Sequence, residues 1–518
     1  MNGSEHTRSF WTHERLDFSA PMLRDDTSTD VCIVGGGIAG LTTAYLLSRE
    51  NINVVVIDAT APGSGETSRT TAHLSSVIDD RFYNLERWHG AASARLAAES
   101  HAAAISLIER IVGEEAIDCE FRRLDGFLFT PQADGLRLLE EELEAARRAG
   151  LSGTRLEDCP RELRLDGNKC LRFPNQAQFH PLRYLQGLLA AIQRQEGRVF
   201  GATRATEIRE STEVVVSTEN GSRIRAKYLV VATNSPINNR VSLHAKMAPY
   251  RTYVVAAEVP ADSVPPGLYW DNLNPYHYAR LGERRGTLDT LIVGGEDHKT
   301  GQEADTDLRF RVLEAWARQR FPQCGKITDR WSGQVMETID GLGFIGRAPG
   351  GPENSFVITG DSGMGMTHGT LGAALVTDLI QGRPNRWEAL YDPARKPLSA
   401  GINFAEENFN VARQYLDWGR PSAPDDLADL PANCGRVIQR GLQKLAVYRA
   451  SDGSLHEMSA VCRHLGCIVR WNDTEHTWDC PCHGSRYEAE GEVINGPAIS
   501  ALSPHVSAPT ESSYGKEP

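Results

Sequence analysis

The spacing of hydrophobic positions changes along this chain and divides it into regions. Near the N-terminus, two short apolar runs at Asp30–Val34 and Asn53–Ile57 flank a helical pattern over Ile38–Glu50. Short apolar runs are typical of buried parallel strands, so this region predicts a β-α-β unit. From Lys246 onward the pattern changes to alternating strands, which predict an antiparallel sheet: Thr252–Val259, Tyr276–Leu281 and Leu291–Gly294.

The later pattern predicts a second buried strand, a bridging helix and a separate C-terminal domain. Phe356–Thr359 is apolar and precedes a glycine-rich turn, after which a helix is expected near Gly369. Gly401–Trp418 has helical spacing. Its apolar face is predicted to pack on the preceding region and contains Ile402, Phe409, Ala412 and Leu416.

Short strands separated by turns follow from Cys434, after a segment rich in Pro, Ala and Asp at Gly419–Pro431. The expected organisation is therefore an α/β domain over residues 1–400, whose antiparallel part covers about 246–340. A helix and linker follow over 401–430, and a small all-β domain over 431–518.

Composition and charge exclude several classes of protein. The chain has 518 residues, a net charge of −13 and an apolar content of 40%, which suit a multidomain globular protein rather than a nucleic-acid binder. No run approaches the roughly eighteen apolar residues of a membrane span. Met1–Asp30 lacks the apolar stretch of a secretory signal. We therefore expect a cytoplasmic protein with no membrane span and no nucleic-acid partner.

The first β-α-β unit carries a dinucleotide-binding pattern. Gly35, Gly37 and Gly40 follow the first strand in G-x-G-x-x-G spacing, and Asp58 ends the second strand. The first two glycines permit a tight turn and a close approach of pyrophosphate to the helix N-terminus, and the third lets helix and strand pack closely. Asp58 is placed to accept hydrogen bonds from ribose hydroxyls.

The segment after Asp58, A-T-A-P-G-S-G-E-T-S-R-T-T-A-H, resembles the D-amino-acid oxidase-like flavoprotein family. The resemblance continues through most of Val31–Arg395 and implies FAD as cofactor. It assigns Ala205 to the adenine and the later glycine-rich loop to the flavin ring. Beyond the dinucleotide pattern, the FAD contacts it implies are Gly65, Ser68, Arg69, Thr70, Ala205, Ser362, Met364 and Gly365.

The antiparallel sheet is expected to form the substrate side of the flavin. An arginine fork suits a carboxylate, so Arg280 and Arg251 are predicted to bind an amino-acid substrate, although surface ion pairs explain each equally well. Tyr278 and His277 complete the predicted substrate-site residues. Some relatives link flavin covalently to a histidine near His73, but the spacing differs here, and the alternative is a histidine that lines the pocket.

The C-terminal region contains two half-sites for a metal centre. Cys462 and His464 form a C-x-H pair, and Cys480 and His483 form a C-x-x-H pair. Two Cys and two His suit tetrahedral zinc or a Rieske [2Fe–2S] cluster. The cluster is favoured because each half supplies one residue of each kind, whereas zinc sites usually take both Cys from one turn.

This stretch resembles Rieske proteins, in particular the high-potential branch of respiratory bc complexes. The resemblance implies a disulfide between Cys467 and Cys482, which sit at matching places in the two loops. It also implies hydrogen bonds from Ser485 and Tyr487 to cluster or ligand sulfurs. Gly496–Ala498 matches the loop that covers the cluster.

These features together predict an FAD- and [2Fe–2S]-dependent oxidoreductase. The main hypothesis is a dehydrogenase that oxidises a C–N bond of an amino acid or secondary amine by hydride transfer to flavin N5. Electrons would then pass through the Rieske cluster to an external acceptor, such as a partner protein. The alternatives are an oxygen-using amine oxidase with a structural or redox-sensing cluster, and an electron-transfer protein that acts on no small molecule.

Overall fold

The computed structural model describes residues 7–132, 135–164, 168–238, 241–303, 305–396, 401–420 and 427–505. The helices are α1 Ile38–Arg49, α2 Phe82–His89, α3 Ala91–Glu114, α4 Leu136–Arg148, α5 Pro181–Arg194, α6 Val241–His244, α7 Thr306–Arg320, α8 Gly365–Ile380, α9 Glu388–Tyr391 and α10 Gly401–Gln414. The N-terminal strands are β1 Thr27–Val34, β2 Val54–Ile57, β3 His73–Leu74, β4 Arg122–Phe129, β5 Arg155–Asp158, β6 Lys169–Gln178, β7 Arg198–Phe200, β8 Ala205–Arg209, β9 Val214–Thr218, β10 Arg223–Val231, β11 Met247–Pro260, β12 Leu268–Asp271, β13 His277–Arg285, β14 Leu288–Lys299, β15 Ile327–Thr338, β16 Phe344–Arg347 and β17 Ser355–Thr359. The C-terminal strands are β18 Cys434–Arg440, β19 Gln443–Arg449, β20 Leu455–Ser459, β21 Arg470–Asn472, β22 Thr477–Asp479, β23 Arg486–Glu488 and β24 Val493–Asn495.

The predicted dinucleotide unit lies at the centre of a largely parallel sheet with the order β16-β17-β10-β1-β2-β7. β1 pairs in parallel with both β2 and β10, and β9 and β8 extend the sheet from β10 as antiparallel strands. Every residue of β2 is buried, as expected for a strand covered on both faces. α1 and α8 pack on this sheet and on each other. The β-α-β prediction is therefore confirmed.

A second, mainly antiparallel sheet has the order β15-β11-β14-β13-β12-β4-β6-β3. β11, β13 and β14 contain the three alternating runs predicted from the sequence, so that prediction is confirmed. One face of this sheet packs against α7 in its own hydrophobic cluster, which includes Tyr253, Phe310 and Trp316. The other face meets the nucleotide-binding side of the chain and leaves a cavity between the two sheets.

The C-terminal domain is built from two small antiparallel sheets, β18-β19-β20 and β21-β22-β23-β24. Their shared core includes Trp478, Tyr487 and the four cysteines of the metal motif. The fold class predicted from the sequence, an α/β domain with an antiparallel sheet plus a small all-β domain, is confirmed.

α10 differs from its prediction. Phe409 is 68% exposed and Leu416, in the turn that follows α10, is 60% exposed, so these apolar residues do not pack on the N-terminal region. Polar contacts hold the helix instead, because Lys299 pairs with Glu407, and Asn408 donates to the carbonyl of Ala245. The side chain of Ile402 lies outside the described residues.

Candidate functional site

The predicted glycine turn forms one wall of the cavity. Gly35 has φ +109°, and a Cβ atom there would lie 2.3 Å from the carbonyl oxygen of Ala232. Gly37 caps α1 without a side-chain hydrogen bond, so the first turn of α1 presents bare backbone to the cavity. A Cβ on Gly40 would lie 1.8 Å from the Gly35 carbonyl oxygen, because helix and strand touch here. This cradle fits a dinucleotide phosphate.

Most of the predicted FAD contacts line this cavity. Asp58 Oδ2 accepts from the Gly36 amide at 2.8 Å, which holds the carboxylate at the glycine turn. Gly40, Ser68 and Ser362 lie behind the lining instead, and the Ser68 hydroxyl donates to the Gly65 carbonyl. The predicted contacts that reach the cavity are Gly35, Gly37, Asp58, Gly65, Arg69, Thr70, Ala205, Met364 and Gly365.

α8 brings a second uncapped helix N-terminus to the cavity. It begins at Gly365, four residues before the predicted start, with Met364 as its N-cap and no side-chain cap. Gly363 has φ +76° and makes the turn that lets the helix start early. An N-terminus of this kind stabilises negative charge, which suits the flavin end of a reduced cofactor.

One end of the cavity, here called the aromatic end, consists of His73, Asp79, Thr252, Trp270, Tyr276 and Tyr278. The Tyr276 hydroxyl donates to Asp79 Oδ2 at 3.2 Å, and the Tyr276 and Tyr278 rings are 5.3 Å apart. His73 lies edge-on to Tyr278 and has no hydrogen-bond partner at Nε2 in the described residues. A Cβ on Gly363 would lie 2.1 Å from Asp79 Oδ2, so the aromatic end touches the glycine loop of α8.

Buried acids surround the aromatic end. Burial raises the pKa of Asp79, while Arg81 and the Tyr276 hydrogen bond lower it. Burial and the charge of Asp79 raise the pKa of Asp80 to about 7, and burial is also the main cause that raises that of Asp297 to about 7. A group of carboxylates that repel one another in this way favours a positively charged ligand.

The two arginines predicted to bind substrate lie outside the cavity lining. Arg251 is fully buried and forms an ion pair with Glu475 of the C-terminal domain at 3.2 Å. Arg280 donates to the backbone carbonyls of Thr71, Leu281 and Phe179, and its guanidinium lies 5.1 Å from the Trp11 ring centre. Arg251 Nε and Nη1 have no hydrogen-bond partner among the described residues. Neither guanidinium reaches the cavity lining, where the predicted carboxylate fork would have to lie.

Tyr278 and His277 lie on opposite faces of β13, as the strand period requires. Tyr278 faces the cavity, whereas the ring of His277 stacks on Trp316 at 4.7 Å. Burial lowers the pKa of His277, but hydrogen bonds with Asp271 and Glu296 outweigh it and raise the pKa to about 9. His277 is therefore a buried ion-pair partner and does not line the cavity.

The four predicted cluster ligands lie together at the tip of the C-terminal domain. The rings of His464 and His483 are 5.0 Å apart, and both ring nitrogens of His464 are buried without a partner in the described residues. A hydrogen bond between the thiols lowers the pKa of Cys462 and raises that of Cys480. Paired thiols and unpartnered imidazole nitrogens fit a cluster with two sulfur and two nitrogen ligands.

Cys467 and Cys482 form the predicted disulfide. The sulfur atoms of Cys467, Cys480 and Cys482 lie within 4.8 Å of one another, but the disulfide leaves only Cys480 of these three as a possible thiolate. Tyr487 Oη lies 3.3 Å from Cys462 Sγ, as the resemblance implies. The hydroxyl of Ser485 accepts from the amide of Ala498, which fixes the covering loop beside the ligands.

The C-terminal domain also closes the cavity between the two sheets. The covering loop is taken from here on as 494–499, so that it includes the last two residues of β24. Five of its residues line the cavity, namely Ile494, Asn495, Gly496, Ala498 and Ile499. The Asn495 amide donates to Glu66 at 3.0 Å, and Gln334 donates to the Gly484 carbonyl at 3.0 Å. The two parts of the chain therefore meet through polar contacts on either side of the cavity.

Models of known protein families match both the part of the chain that forms the cavity and the C-terminal domain. The family model "FAD dependent oxidoreductase" matches residues 30–379, which is more than half of the chain. The chain belongs to this family. A "Rieske [2Fe-2S] domain" model matches residues 424–506. The protein is thus an oxidoreductase with FAD and a Rieske [2Fe–2S] cluster as cofactors, and both resemblances stated from the sequence are confirmed.

One relative matches nearly the whole chain, and two other proteins match about three quarters of it. The putative Rieske 2Fe-2S iron-sulfur protein YhfW of Bacillus subtilis is 34% identical over 501 residues, covering 96% of this chain and 97% of that protein. Gamma-glutamylputrescine oxidoreductase of Escherichia coli is 28% identical over 411 residues, covering 77% of this chain and 94% of that protein. Glycine oxidase from Geobacillus kaustophilus shares the fold, with a TM-score of 0.58 and 19% identity over 71% of this chain and 99% of that one.

Several residues of the site carried no sequence signal. Asp79 follows no motif, and Glu475 and His244 become noticeable only when the two domains are seen together. Trp270 and Tyr276 stand out in the sequence as part of an aromatic cluster, but their side of the sheet could not be predicted. No helix in the described ranges is both long enough and apolar enough to cross a membrane.

Proposed function

We propose that this protein is an amine dehydrogenase that oxidises a C–N bond of a cationic amine with no carboxylate next to the reacting carbon. The observation that carries the proposal is the composition of the aromatic end. Asp79 and three aromatic rings line it. The two arginines of the described cavity lining, Arg69 and Arg204, are not part of this end and donate to the carbonyls of Ser332 and Val493. Aromatic faces and a carboxylate attract an ammonium group, whereas an amino-acid carboxylate would be repelled.

The cofactors provide the redox chemistry, and the chain holds them. Gly35, Gly37 and Asp58 are proposed to hold the dinucleotide part of FAD, with Ala205, Met364 and Gly365 at its two ends. The proposed cluster ligands are Cys462, His464, Cys480 and His483. When bound, FAD removes two electrons from the C–N bond and the cluster passes them on singly.

The residues of the aromatic end prepare the substrate. The ammonium group enters beside Asp79, whose Oδ2 accepts one proton and leaves the amine neutral. The Tyr276 hydroxyl orients Asp79, and Tyr278 and Trp270 exclude water from the reacting carbon. Counted from its ammonium form, the substrate loses two electrons and two protons in total, one of these protons to Asp79, and becomes an iminium ion. Water hydrolyses the iminium ion to a carbonyl compound and a protonated amine.

The Rieske domain is proposed to take electrons from FAD within the same chain. Its support is the covering loop Ile494–Ile499, since five of its six residues line the cavity proposed for FAD. The final acceptor is then a separate molecule, either a protein or a small electron carrier, that meets the cluster.

The test is anaerobic reduction of the full-length protein by a matched panel. One arm contains gamma-glutamylputrescine, putrescine and N-methylated amines, and the other contains glycine, sarcosine, proline and D-alanine. We expect the amines to bleach the flavin absorbance and the EPR signal of the reduced cluster to follow. Reduction by the α-amino acids alone would overturn the substrate class, and a bleached flavin with an oxidised cluster would overturn the internal electron transfer.

A further inference from the structure

A third histidine lies against the two histidines of the metal site. It belongs to the part of the chain matched by the FAD-dependent oxidoreductase family, residues 30–379, here called the flavin domain. The His244 ring centre is 4.8 Å from that of His464 and 5.8 Å from that of His483, with the rings edge-on in both cases. His244 is 2% exposed. The outer edge of the proposed cluster site is therefore buried against one imidazole of the other domain.

The hydrogen-bonding capacity of these rings is incomplete. Among the described residues, none makes a hydrogen bond of normal geometry with a ring nitrogen of His244 or His464. The backbone of Pro236 lies near His244 but does not make such a bond either. If one nitrogen of His464 bound iron of the cluster, the other nitrogen would carry hydrogen and be available as a donor. A neutral imidazole keeps one bare nitrogen, so His244 can accept that hydrogen bond.

His244 is held firmly by the flavin domain. It ends α6, and its neighbour Leu243 is fully buried in a small cluster with Met247, Met336, Phe344 and Val357. Met247 and Phe344 also face Gly360, which begins the glycine loop ahead of α8, since a Cβ atom on Gly360 would lie 3.1 Å from Met247 Sδ and 3.3 Å from Phe344 Cδ2. A short packed path thus joins the imidazole to the loop beside the aromatic end.

We propose that His244 is the positioning residue of the cluster: it accepts the outer N–H of His464 and fixes the ligand ring against the flavin domain. Partners of this kind make a ligand imidazole more basic, which favours oxidised iron and lowers the reduction potential. No bond to His244 forms or breaks when one electron enters the cluster. The inference uses the cluster ligands of the proposed function but not its substrate.

The test is a redox titration of the full-length holoprotein with mediators and dithionite, followed by EPR. His244→Phe keeps the ring volume and removes the acceptor, so we expect a more positive midpoint potential, altered g values and about 10-fold slower electron transfer from flavin to cluster. His244→Asn keeps an acceptor oxygen in a smaller side chain, so its midpoint potential and g values are expected to be closer to those of the wild type. Tyr448→Phe changes an aromatic side chain of the Rieske domain that contacts neither His244 nor a proposed ligand, and it should leave the potential unchanged.

An unchanged potential and unchanged g values in His244→Phe would overturn the proposal, as would an equal shift in Tyr448→Phe. If His244→Phe does not load the cluster, His244→Ala decides, because it removes the acceptor without adding bulk: altered g values support the contact, and wild-type values refute it. Dithionite reduces the cluster without any amine, so a wrong substrate class leaves this measurement intact.

Discussion

Glu475 of the Rieske domain forms an ion pair with Arg251 of the flavin domain at 3.2 Å, and both side chains are almost completely buried. Ser332 donates to the same carboxylate oxygen, and Arg69 lies 3.8 Å from it. Glu475 also accepts from Thr7 through its other oxygen. The Glu475 carboxylate thus lies within ion-pair distance of two arginines of the flavin domain, at the interface between the two domains.

Removal of the negative charge of Glu475 is expected to lower the free energy of unfolding of the full-length protein. Glu475→Gln leaves two buried guanidiniums without their counter-charge, and loss of one partner of a buried pair costs about 3–5 kcal/mol. Urea unfolding of the full-length protein measures the change. Glu388→Gln is the matched control because its pair with Arg347 is 45% exposed on both sides, and we expect a change below about 1 kcal/mol there. Equal losses in both variants would contradict the assignment.

The shifted pKa of Glu475 predicts how the free energy of unfolding depends on pH. Burial raises the pKa of Glu475, but Arg69, Arg251 and Arg486 outweigh it and lower the pKa to about 2, against 4.5 for an ordinary glutamate. Because the pKa of Glu475 is lower in the folded than in the unfolded protein, its ion pairs contribute fully to the free energy of unfolding above pH 4.5. This contribution is lost as the pH falls toward 2. Unfolding measured between pH 6 and 3 should show a shallower acid loss in Glu475→Gln, and identical slopes would count against this ion pair.

Asp79→Asn tests the proposed proton acceptor. Because burial raises the pKa of Asp79, kcat/KM for a cationic amine is expected to rise with pH as this group loses its proton. The charged and titratable groups that interact with Asp79 are Asp80, Arg81, Tyr276, Tyr278, Asp297, Glu337 and Asp361. The variant should lose about 100-fold in kcat/KM and most of this pH dependence.

Two controls accompany that variant. Asp158→Asn removes a carboxylate that is 80% exposed and remote from the cavity, and it should match the wild type. FAD content, read from absorbance, should be equal in all three proteins. An Asp79→Asn enzyme with full FAD and unchanged kcat/KM would refute the role.

Tyr487→Phe removes the hydroxyl that lies 3.3 Å from Cys462 Sγ. A hydrogen bond to a ligand sulfur stabilises the more negative reduced cluster, so its loss is expected to lower the midpoint potential. Redox titration monitored by EPR measures this shift, which has the opposite sign to that of His244→Phe. Tyr448→Phe, in the same domain but away from the ligands, is the control. A shift toward positive potential would contradict the hydrogen bond.

The sequence was informative wherever neighbours in the chain determine the chemistry. Gly35, Gly37 and Asp58 lie within one β-α-β unit, and the two halves of the cluster motif lie in adjacent loops, so both sites could be predicted from spacing. The start of α8 was missed by four residues, because glycines that read as a loop also permit a helix to begin once Gly363 takes a positive φ.

Contacts between distant segments could not be predicted in this way. Arg251 was expected at the substrate because strand position and residue type suggested a carboxylate partner. Its partner is indeed a carboxylate, but it belongs to Glu475, 224 residues later in the chain. The sequence specifies what a side chain can bind, and only the packing of the two domains specifies which group reaches it.

The loop Ile494–Ile499 gives the FAD cavity a wall that belongs to a different domain from its floor. This wall exists only after the Rieske domain has docked, so the order of assembly matters. Nucleotide bound before docking is enclosed when the domain closes, and each event then favours the other by mass action. We therefore expect acquisition of the two cofactors to be coupled, so that a protein lacking one of them retains the other less tightly.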